Sequence, residues 1–396
     1  MTSVYIVGGA RTPFGNFGGV LKDVSAMELG TIASQSALER SRVQPEDIDH
    51  VFVGNVIHTS KNASYIARHI ALHTGIPMEA PALTVNRLCG SGLQAVVTAA
   101  QSILLGDAQV ALAAGTENMS QSPHVLRGAR FGTGLKPPEV DDMLWATLTD
   151  EYASCGMGNT AENLAEQYEI SRVEQDQFAL ESQEKAYKAQ KEGRFKQEIA
   201  PVSLTDKKGN PKIISEDEYI KGETTLEALS KLKPAFKKDG TVTAGNASGI
   251  NDGAAAVVIV EESYLKKNQE TAPLARIVSW GIAGVEPRIM GIGPIPAIQI
   301  ALKRAGLHLN DIDLIEVNEA FAAQSLAVVK ELGLNREKVN VNGGAIALGH
   351  PVGASGARIL YSLALELKNQ GKRYGLASLC IGGGQGIAMI IEAVER

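Results

Sequence analysis

The sequence predicts an α/β fold built from two similar layered halves with an inserted loop domain. Segment 37–56, ALERSRVQPEDIDHVFVGNV, aligns with segment 301–320, ALKRAGLHLNDIDLIEVNEA, at an offset of 264 residues. Strand and helix patterns alternate in both halves. A middle segment, 119–250, matches neither half. Together these observations favour a duplicated α/β domain with an insertion.

The same offset relates other parts of the chain. It places Ser91-Gly92 on Ser355-Gly356. One offset that serves separated segments, and that is much longer than the period of a solenoid, indicates duplication of a whole domain. We therefore expect two halves of similar topology that pack side by side.

The elements of the first half follow from its hydrophobic periodicity. VYIVGGA, DHVFVGNVI and VALAAGTE are typical of buried strands, whereas AMELGTIASQSALERS and GLQAVVTAAQSILLG have helical spacing. Strands that alternate with helices predict a sheet with mostly parallel pairing, covered by helices.

The middle segment is rich in Gly, Pro and charged residues and contains one long helical stretch, 159–195. After it, NASGINDGAAAVVIVEE predicts a strand that completes the sheet of the first half. The predicted domains are an N-terminal domain (1–118 plus 251–271), a loop domain (119–250) and a C-terminal domain (272–396).

Composition and charge exclude several classes of protein. The chain has 396 residues, 44% of them hydrophobic, and a net charge of −6. It therefore lacks the excess of positive charge that is typical of proteins that bind nucleic acids or anionic membranes. No apolar run approaches the roughly 20 residues of a membrane span, and the N-terminus does not resemble a signal peptide. Three cysteines form neither a disulfide framework nor a zinc pattern. We expect a cytoplasmic protein with free thiols and no metal.

Two cysteines precede glycine-rich turns. Cys89, in LCGSGLQA, follows a strand-like stretch and precedes a helix, and the positive end of that helix favours a thiolate. Cys380, in LCIGGGQG, ends a strand, where ligand sites of α/β proteins form. Taken alone, a buried structural thiol is the commoner role of a single cysteine, and it remains the alternative for both residues.

His350 and Asn318 also stand at turns. His350 lies in GGAIALGHPVGASGARI, and imidazole is the usual base for a cysteine nucleophile. The repeat places Cys89 on Gly353, so equivalent turns of the two halves would supply Cys and His. A surface histidine and a helix-capping asparagine are the plainer alternatives.

These segments together resemble the signature blocks of the thiolase family. The matching blocks are NRLCGSGLQA, NEAFA, GGAIALGHPVGASGARI, CIGGGQG and, more weakly, AGNASGINDGAAA, in order over essentially the whole chain. The resemblance implies the thiolase fold, in which two αβαβα halves carry a loop domain. It also implies an acyltransferase, nearest to the acetyl-CoA C-acetyltransferases, which condense two acetyl-CoA molecules to acetoacetyl-CoA and CoA.

The resemblance implies a role for each polar residue. Cys89 would carry the acyl group, His350 would activate it, and Cys380 would move the proton of the second substrate. Asn318 would hold a water molecule at the thioester oxygen, and the N–H groups of Cys89 and Gly382 would bind an oxyanion. No cofactor is implied, because the coenzyme A thioester is a substrate, and the kinetics would be ping-pong.

The resemblance further implies that the loop domain binds CoA. Ser248 matches a pantetheine contact, Lys221 stands where an Arg usually lies near the adenine, and Met290 matches a residue that shortens the acyl pocket. The remaining positions implied to line the site are Leu148, Met157, Phe236, Ala244, Ala320 and Phe321. Gly156 departs from the His that is typical of biosynthetic members.

Several alternatives remain open. Gly156 favours a broader 3-ketoacyl-CoA thiolase of fatty-acid degradation, whereas Met290 favours the acetyl-specific enzyme. A decarboxylating ketosynthase would usually have His in place of Cys380. A non-catalytic lipid carrier or scaffold would have lost one of the four polar residues, and a redox sensor would join Cys89 to Cys380.

The family resemblance also implies self-association as dimers or homotetramers, with FGTGLKPPEVDD as a tethering loop.

Overall fold

The computed structural model describes residues 2–205 and 208–394. The strands, in chain order, are β1 (Val4–Arg11), β2 (Gly15–Asn16), β3 (His50–Gly54), β4 (Ala82–Val85), β5 (Val110–Asn118), β6 (His124–Arg127), β7 (Glu139–Asp142), β8 (Thr149–Asp150), β9 (Cys155–Gly156), β10 (Val202–Thr205), β11 (Pro211–Ile214), β12 (Asn251–Glu261), β13 (Ala275–Gly284), β14 (Leu314–Val317), β15 (Tyr374–Ile381) and β16 (Gln385–Ala393). The α-helices are α1 (Ala26–Ser41), α2 (Ile66–His73), α3 (Ser91–Leu105), α4 (Met143–Thr147), α5 (Met157–Gln167), α6 (Arg172–Lys191), α7 (Leu226–Ser230), α8 (Glu262–Lys267), α9 (Pro294–Ala305), α10 (Ala322–Leu332), α11 (Ala345–Leu348) and α12 (Ser355–Gln370).

A single sheet runs through both halves. Its strand order is β14-β15-β16-β13-β1-β12-β5-β3-β4, and β2 pairs with β12. The halves meet edge to edge where β1 pairs with β13, through Tyr5 opposite Arg276 and Ile6 opposite Ala275. The predicted side-by-side arrangement is therefore a continuous sheet.

The predicted mostly parallel pairing is wrong. Only β3·β4, β3·β5 and β14·β15 are parallel, and the other pairs of the main sheet are antiparallel. A strand that follows a crossover helix runs parallel to its predecessor, but β16 returns from β15 through a short glycine turn. Similarly, β12 returns from the loop segment antiparallel to both of its neighbours.

The repeat is visible in the structure. The equivalent helices α3 and α12 begin at the equivalent residues Ser91 and Ser355. They approach so closely that a Cβ atom at Gly356 would lie 2.2 Å from the backbone nitrogen of Leu93, and one at Gly92 would lie 2.7 Å from that of Ala357. Glycine at both positions brings the N-terminal ends of the two helices together at the centre of the molecule.

In its described residues, 119–205 and 208–250, the inserted segment contains three short hairpins and the helices α4 to α7. The single helical stretch predicted over 159–195 is two helices, because Glu169 adopts a left-handed conformation with φ 53°. Ser171 then starts α6 with a capping box that includes Glu174.

Helix α3 is a core helix. The 18-residue window Leu88–Leu105 has a mean hydropathy of 1.4 and is apolar and long enough for a membrane span, although no such run is expected from the sequence. Most of its apolar side chains, among them Leu93, Val96 and Ile103, are buried against the sheet and α12, and only Leu104 and Leu105 at its end are exposed. The hydropathy of α3 is therefore explained by its place in the interior.

Candidate active site

A tight turn presents Cys89 at the start of α3. Within this Cys89 turn (residues 86–90), Leu88 has a φ of 46°, an unfavourable conformation for a branched side chain. Ser91 stabilises the turn, because its Oγ donates to the carbonyl of Leu88 at 2.7 Å and accepts from the N–H of Arg87 at 2.8 Å. Cys89 is thereby held at the helix start, partly exposed to a cavity.

The equivalent turn of the second half carries His350. Within this His350 turn (residues 349–354), the His350 N–H donates to Oδ1 of Asn251 at 2.9 Å. The imidazole Nδ1 lies 2.6 Å from Oγ of Ser355, and that hydroxyl donates to the carbonyl of Pro351 at 3.0 Å. Since the hydroxyl proton is used there, Ser355 accepts from Nδ1–H, and Nε2 keeps its lone pair.

Asn318 is next to the free nitrogen of His350. Its Nδ2 lies 3.4 Å from Nε2 of His350, a long contact. Its Oδ1 is buried and has no hydrogen-bond partner within residues 2–205 and 208–394. An orphaned buried carbonyl oxygen is able to hold a water molecule in the cavity.

Cys380 lies at the end of β15, fully buried in an apolar cluster with Met290, Ala320 and Phe321. Burial raises the pKa of its thiol, and the charge of an ionised Cys89 raises it further. The two thiols therefore lie within electrostatic reach of each other, and each disfavours ionisation of the other.

Burial controls the charge state of the pair that carries the chemistry. It raises the pKa of Cys89 to about 11, despite a hydrogen bond from the N–H of Gly382, and Glu117 adds a smaller increase. Burial also lowers the pKa of His350 to about 3, and the positive charge of Arg358 acts in the same direction. Both shifts favour a thiol and a neutral imidazole in the resting pair, because burial opposes a charge on either group and acts against the thiolate that the helix end favours.

The cavity beside Cys89 and His350 has a volume of about 670 Å³. The predicted site residues that line it are Cys89, Leu148, Met157, Phe236, Ala244, Ser248, Met290, Ala320, Phe321 and His350. Its wall is largely apolar, with few polar groups, as is typical of a small-molecule site.

Four predicted residues lie outside this lining. Asn318 and Cys380 are buried behind it, and Gly382 reaches Cys89 through its N–H. Lys221 is exposed, with its ammonium 5.2 Å from the ring centre of Tyr219, which does line the cavity. Lys221 thus belongs to the rim rather than the wall.

Other residues in the site are not expected from the sequence. Asn251 and Ser355 orient His350, and Glu117 accepts hydrogen bonds from both halves. Ser355 could have been found through the repeat, because it is the counterpart of Ser91. Glu117 and Asn251 carry no such local signal, since their partners are distant in sequence.

The arrangement suits acyl transfer. A cysteine and a neutral imidazole with a free Nε2 line one largely apolar cavity, and a second thiol is buried in one apolar cluster with residues of its wall. A thiol and a base of this kind form a nucleophile by proton transfer once a substrate excludes water. No cluster of three or more His, Cys, Asp or Glu side chains able to hold a metal occurs in the part of the chain that the structure describes.

Comparisons with known proteins agree over the whole length. A family model for the thiolase N-terminal domain matches residues 4–263, and one for the thiolase C-terminal domain matches residues 271–393. The mitochondrial 3-ketoacyl-CoA thiolase of Homo sapiens is 52% identical over 394 residues, 99% of each chain.

Solved structures match equally well. The human mitochondrial 3-ketoacyl-CoA thiolase in complex with CoA has a TM-score of 0.96 and 52% identity, covering 100% of this chain and 98% of the other. The acetyl-CoA acetyltransferase of Bacillus anthracis also has a TM-score of 0.96, with 48% identity, covering 100% of this chain and 99% of the other.

Proposed function

The chain belongs to the thiolase family of acyltransferases, and we propose that it transfers an acyl group between a 3-ketoacyl-CoA and CoA through a thioester on Cys89. The observation that carries this proposal is the shared cavity, which brings the Cys89 thiol and the His350 imidazole, from opposite halves, to one apolar site. The contact of Ser355 with Nδ1 leaves Nε2 of His350 able to accept the thiol proton.

In the direction of cleavage, Cys89 loses its proton to Nε2 of His350, and its Sγ attacks the 3-keto carbon. The bond between C2 and C3 then breaks, leaving an acyl thioester on Cys89 and the carbanion of acetyl-CoA. Cys380 donates its proton to that carbanion, and acetyl-CoA leaves. The thiol of a second CoA then gives its proton to the Cys380 thiolate and attacks the acyl-cysteine. The shortened acyl-CoA is released as the protonated His350 returns its proton to the Cys89 thiolate, which restores both resting thiols.

Negative charge develops on the carbonyl oxygen in both acyl-transfer steps. The N–H of Gly382, which donates to the Cys89 sulfur at rest, and the N–H of Cys89 are the donors that we assign to one oxyanion. For the thioester oxygen of the second substrate we assign Nε2–H of protonated His350 and a water on the unpartnered Oδ1 of Asn318.

We propose that the same cavity holds the pantetheine arm of CoA. The solved relative that contains CoA supports this assignment. Ser248 lies at the wall, where the bond from its N–H to the carbonyl of Ala320 at 2.9 Å holds its backbone, and we assign its hydroxyl to an amide of the arm. Phe236 packs edge-to-face on Phe321, with ring centres 6.1 Å apart, and closes the apolar side. Lys221 at the rim would meet the adenine-phosphate end, and CoA would be a substrate rather than a cofactor.

Gly156 and Met290, two residues of the cavity wall, bear on the length of acyl chain that the enzyme accepts. A Cβ atom at Gly156 would lie 3.3 Å from Oδ1 of Asn159, a tight contact with a side chain, and 3.7 Å from the carbonyl of Leu148, an ordinary contact. Gly156 lines the cavity, so that a larger residue here would narrow it. Buried Met290 lines the same cavity. We therefore propose that the enzyme interconverts acetoacetyl-CoA and acetyl-CoA, and that longer 3-ketoacyl-CoA substrates are the second candidate, favoured by Gly156.

The test is thiolysis of 3-ketoacyl-CoA substrates of four, six and ten carbons by the purified protein. Turnover of the four-carbon substrate supports the acetyltransferase activity, whereas a clear preference for six carbons or more replaces it with the broad-range thiolase. Absence of turnover with all three substrates contradicts the enzymatic proposal and favours the carrier or scaffold.

We also propose that the protein self-associates through the inserted segment and that it is cytoplasmic, although the similar human protein is named mitochondrial. In the loop FGTGLKPPEVDD, Phe131 and Leu135 are almost fully exposed, which suits a surface covered in an oligomer. Light scattering of a variant that lacks this loop tests the self-association, since an unchanged tetramer would contradict it.

Cell fractionation tests the cytoplasmic location, and recovery of the protein in an organelle would contradict it.

A further inference from the structure

Glu117 is a buried carboxylate that the acyl-transfer scheme does not use. It lies at the end of β5 with no exposed surface. Its Oε1 accepts from Nδ2 of Asn55 and from the N–H of Ile57, both at 3.1 Å. Its Oε2 accepts from the N–H of Val56 at 3.0 Å and from that of Gly353 at 3.1 Å. The carboxylate therefore joins the loop after β3 in the first half to the His350 turn of the second half.

All four partners are donors. A protonated carboxyl would direct its own O–H at one of these N–H groups, so the hydrogen-bond pattern fits the ionised form. Burial works against that charge and raises the pKa of Glu117 to about 8. Burying a carboxylate costs desolvation free energy, which its four hydrogen bonds offset. Loss of one donor would therefore leave a buried charge that is incompletely compensated.

The contact with the His350 turn is close on every side. A Cβ atom at Gly353 would lie 2.7 Å from Oε2 of Glu117 and 2.6 Å from the carbonyl of Thr116. A Cβ atom at Gly115 would lie 2.1 Å from the carbonyl of Gly353. Because Gly115 and Gly353 have no side chains, the His350 turn packs directly against the end of β5, where the N–H of Gly353 donates to Glu117.

The other end of this linkage reaches the wall around Cys89. The side chains of Val56 and Ile57, whose N–H groups Glu117 holds, form one apolar cluster with Val352 of the His350 turn, and Cys89 packs against that cluster. A displacement of Glu117 would therefore alter the placement of Cys89 relative to His350.

The repeat shows that this contact exists on one side only. The counterpart of Gly353 is Cys89, and the counterpart of Glu117, 264 residues later, is Ile381. The side chain of Ile381 packs beside Gly90, where a Cβ atom would meet its Cδ1 at 2.5 Å. Because isoleucine has no acceptor, no carboxylate competes for the N–H of Cys89. The N–H of Gly353 thus anchors its turn to Glu117, whereas the equivalent N–H of Cys89 remains available for the oxygen of the substrate.

We propose that Glu117 is a positioning residue for acyl transfer: its carboxylate anchors the His350 turn to the loop that encloses Cys89 and, in its ionised form, places a negative charge near the thiol. The inference rests on the proposed function of Cys89 and His350. It assigns to Glu117 no contact with the substrate.

The experiment compares Glu117→Gln and Glu117→Asp with the wild type. The amide of Gln replaces one acceptor oxygen with a donor that faces N–H groups, so kcat for thiolysis should fall by about tenfold or more. KM for the CoA thioester should change by less than about threefold, because the pantetheine wall is elsewhere.

The second readout is the pH profile of Cys89 alkylation by iodoacetamide, followed on the Cys89 peptide by mass spectrometry. The ionisable groups around this thiol are Glu117, Cys380 and His350, with Asp252 acting on Glu117 in turn. Loss of the Glu117 charge should move the alkylation midpoint to lower pH, whereas Glu117→Asp should keep the wild-type midpoint and still lower kcat.

Glu198→Gln is the matched control, since Glu198 is an equally buried carboxylate that pairs with Arg11 away from the cavity. It should lower thermal stability and leave kcat and the alkylation midpoint unchanged. An unchanged kcat and midpoint in Glu117→Gln, or the same shifts in Glu198→Gln, overturn the proposal. If Glu117→Gln does not fold, an unchanged kcat in Glu117→Asp overturns it as well. An inactive wild type would instead count against the proposed function.

Discussion

The Nδ1 atom of His350 lies 2.6 Å from Oγ of Ser355, and this contact decides which imidazole nitrogen accepts a proton. Ser355 begins α12, as its counterpart Ser91 begins α3. Ser91 holds the backbone of the Cys89 turn, and Ser355 holds the ring of His350. The duplicated serines thus perform related tasks on the two sides of the cavity.

Ser355→Ala should lower kcat for thiolysis by about tenfold, because the buried Nδ1–H loses its acceptor and the neutral ring is free to change tautomer. KM should change little. Ser279→Ala is the control, since Ser279 is also buried and its hydroxyl donates to the carbonyl of Ala301 at 2.7 Å, outside the site. Equal kcat values for the two variants in steady-state assays would contradict the role of Ser355.

Cys380→Ala should separate acyl transfer from carbon–carbon chemistry. We expect the variant still to form an acyl-enzyme from acetyl-CoA, because Cys89 and His350 are intact, but to lose both condensation and thiolysis. Removal of an apolar-cluster thiol should cost little stability. Acetyl incorporation is measured by mass spectrometry and condensation by product analysis. Wild-type condensation by this variant would show that another group moves the proton.

His350 should make the fold sensitive to mild acid. Burial lowers the pKa of His350 to about 3 from an ordinary value of 6.5, so below pH 6.5 the unfolded chain binds a proton that the folded chain does not. The contribution of neutral His350 to the free energy of unfolding is therefore fully present above pH 6.5 and is lost as the pH decreases toward 3. At pH 5.5 the loss from this residue is about 1.4 kcal/mol.

The measurement is urea unfolding of the wild type and His350→Asn at pH 7.5 and pH 5.5. The wild type should lose more stability on acidification than the variant. Buried Glu117 and Glu316, with pKa values raised to about 8, act with the opposite sign but are common to both proteins. Identical losses in the two proteins would contradict the buried neutral state of His350.

Gly156→His should narrow the acyl range. The added side chain requires a small shift of Asn159, whose Oδ1 would lie 3.3 Å from the new Cβ atom, but the carbonyl of Leu148 is at an ordinary 3.7 Å and Gly156 has an ordinary φ of −75°. Thiolysis of a ten-carbon substrate should fall by about tenfold or more relative to the four-carbon substrate, because a pocket rejects an excess of several methylene groups by steric overlap. A constant ratio of the two rates would show that Gly156 does not face the acyl chain.

The parts of the fold that depend on local pattern and duplication were predictable. The offset of 264 residues correctly placed Ser91 and Ser355 on equivalent helices, since each is the first residue of its helix. Strand direction was not predictable, since hydrophobic periodicity contains no information on pairing, and β12 and β16 return antiparallel.

The residue types of the candidate site are visible in the sequence, but their electrostatic surroundings are not. A helix end is visible in sequence and favours a thiolate at Cys89, whereas burial, which raises the pKa of its thiol to about 11, arises from tertiary packing. Glu117 was missed for the same reason. Its donors belong to the loop after β3 and to Gly353, which meet only in the folded chain.

The central claim is that Cys89 carries the acyl group. The most direct measurement is intact-protein mass spectrometry after brief incubation with acetyl-CoA, followed by peptide mapping. We predict one acetyl group per chain on the Cys89 peptide of the wild type and none on Cys89→Ala. An acetylated Cys89→Ala protein, or acetylation of the wild type at Cys380 instead of Cys89, would contradict the account.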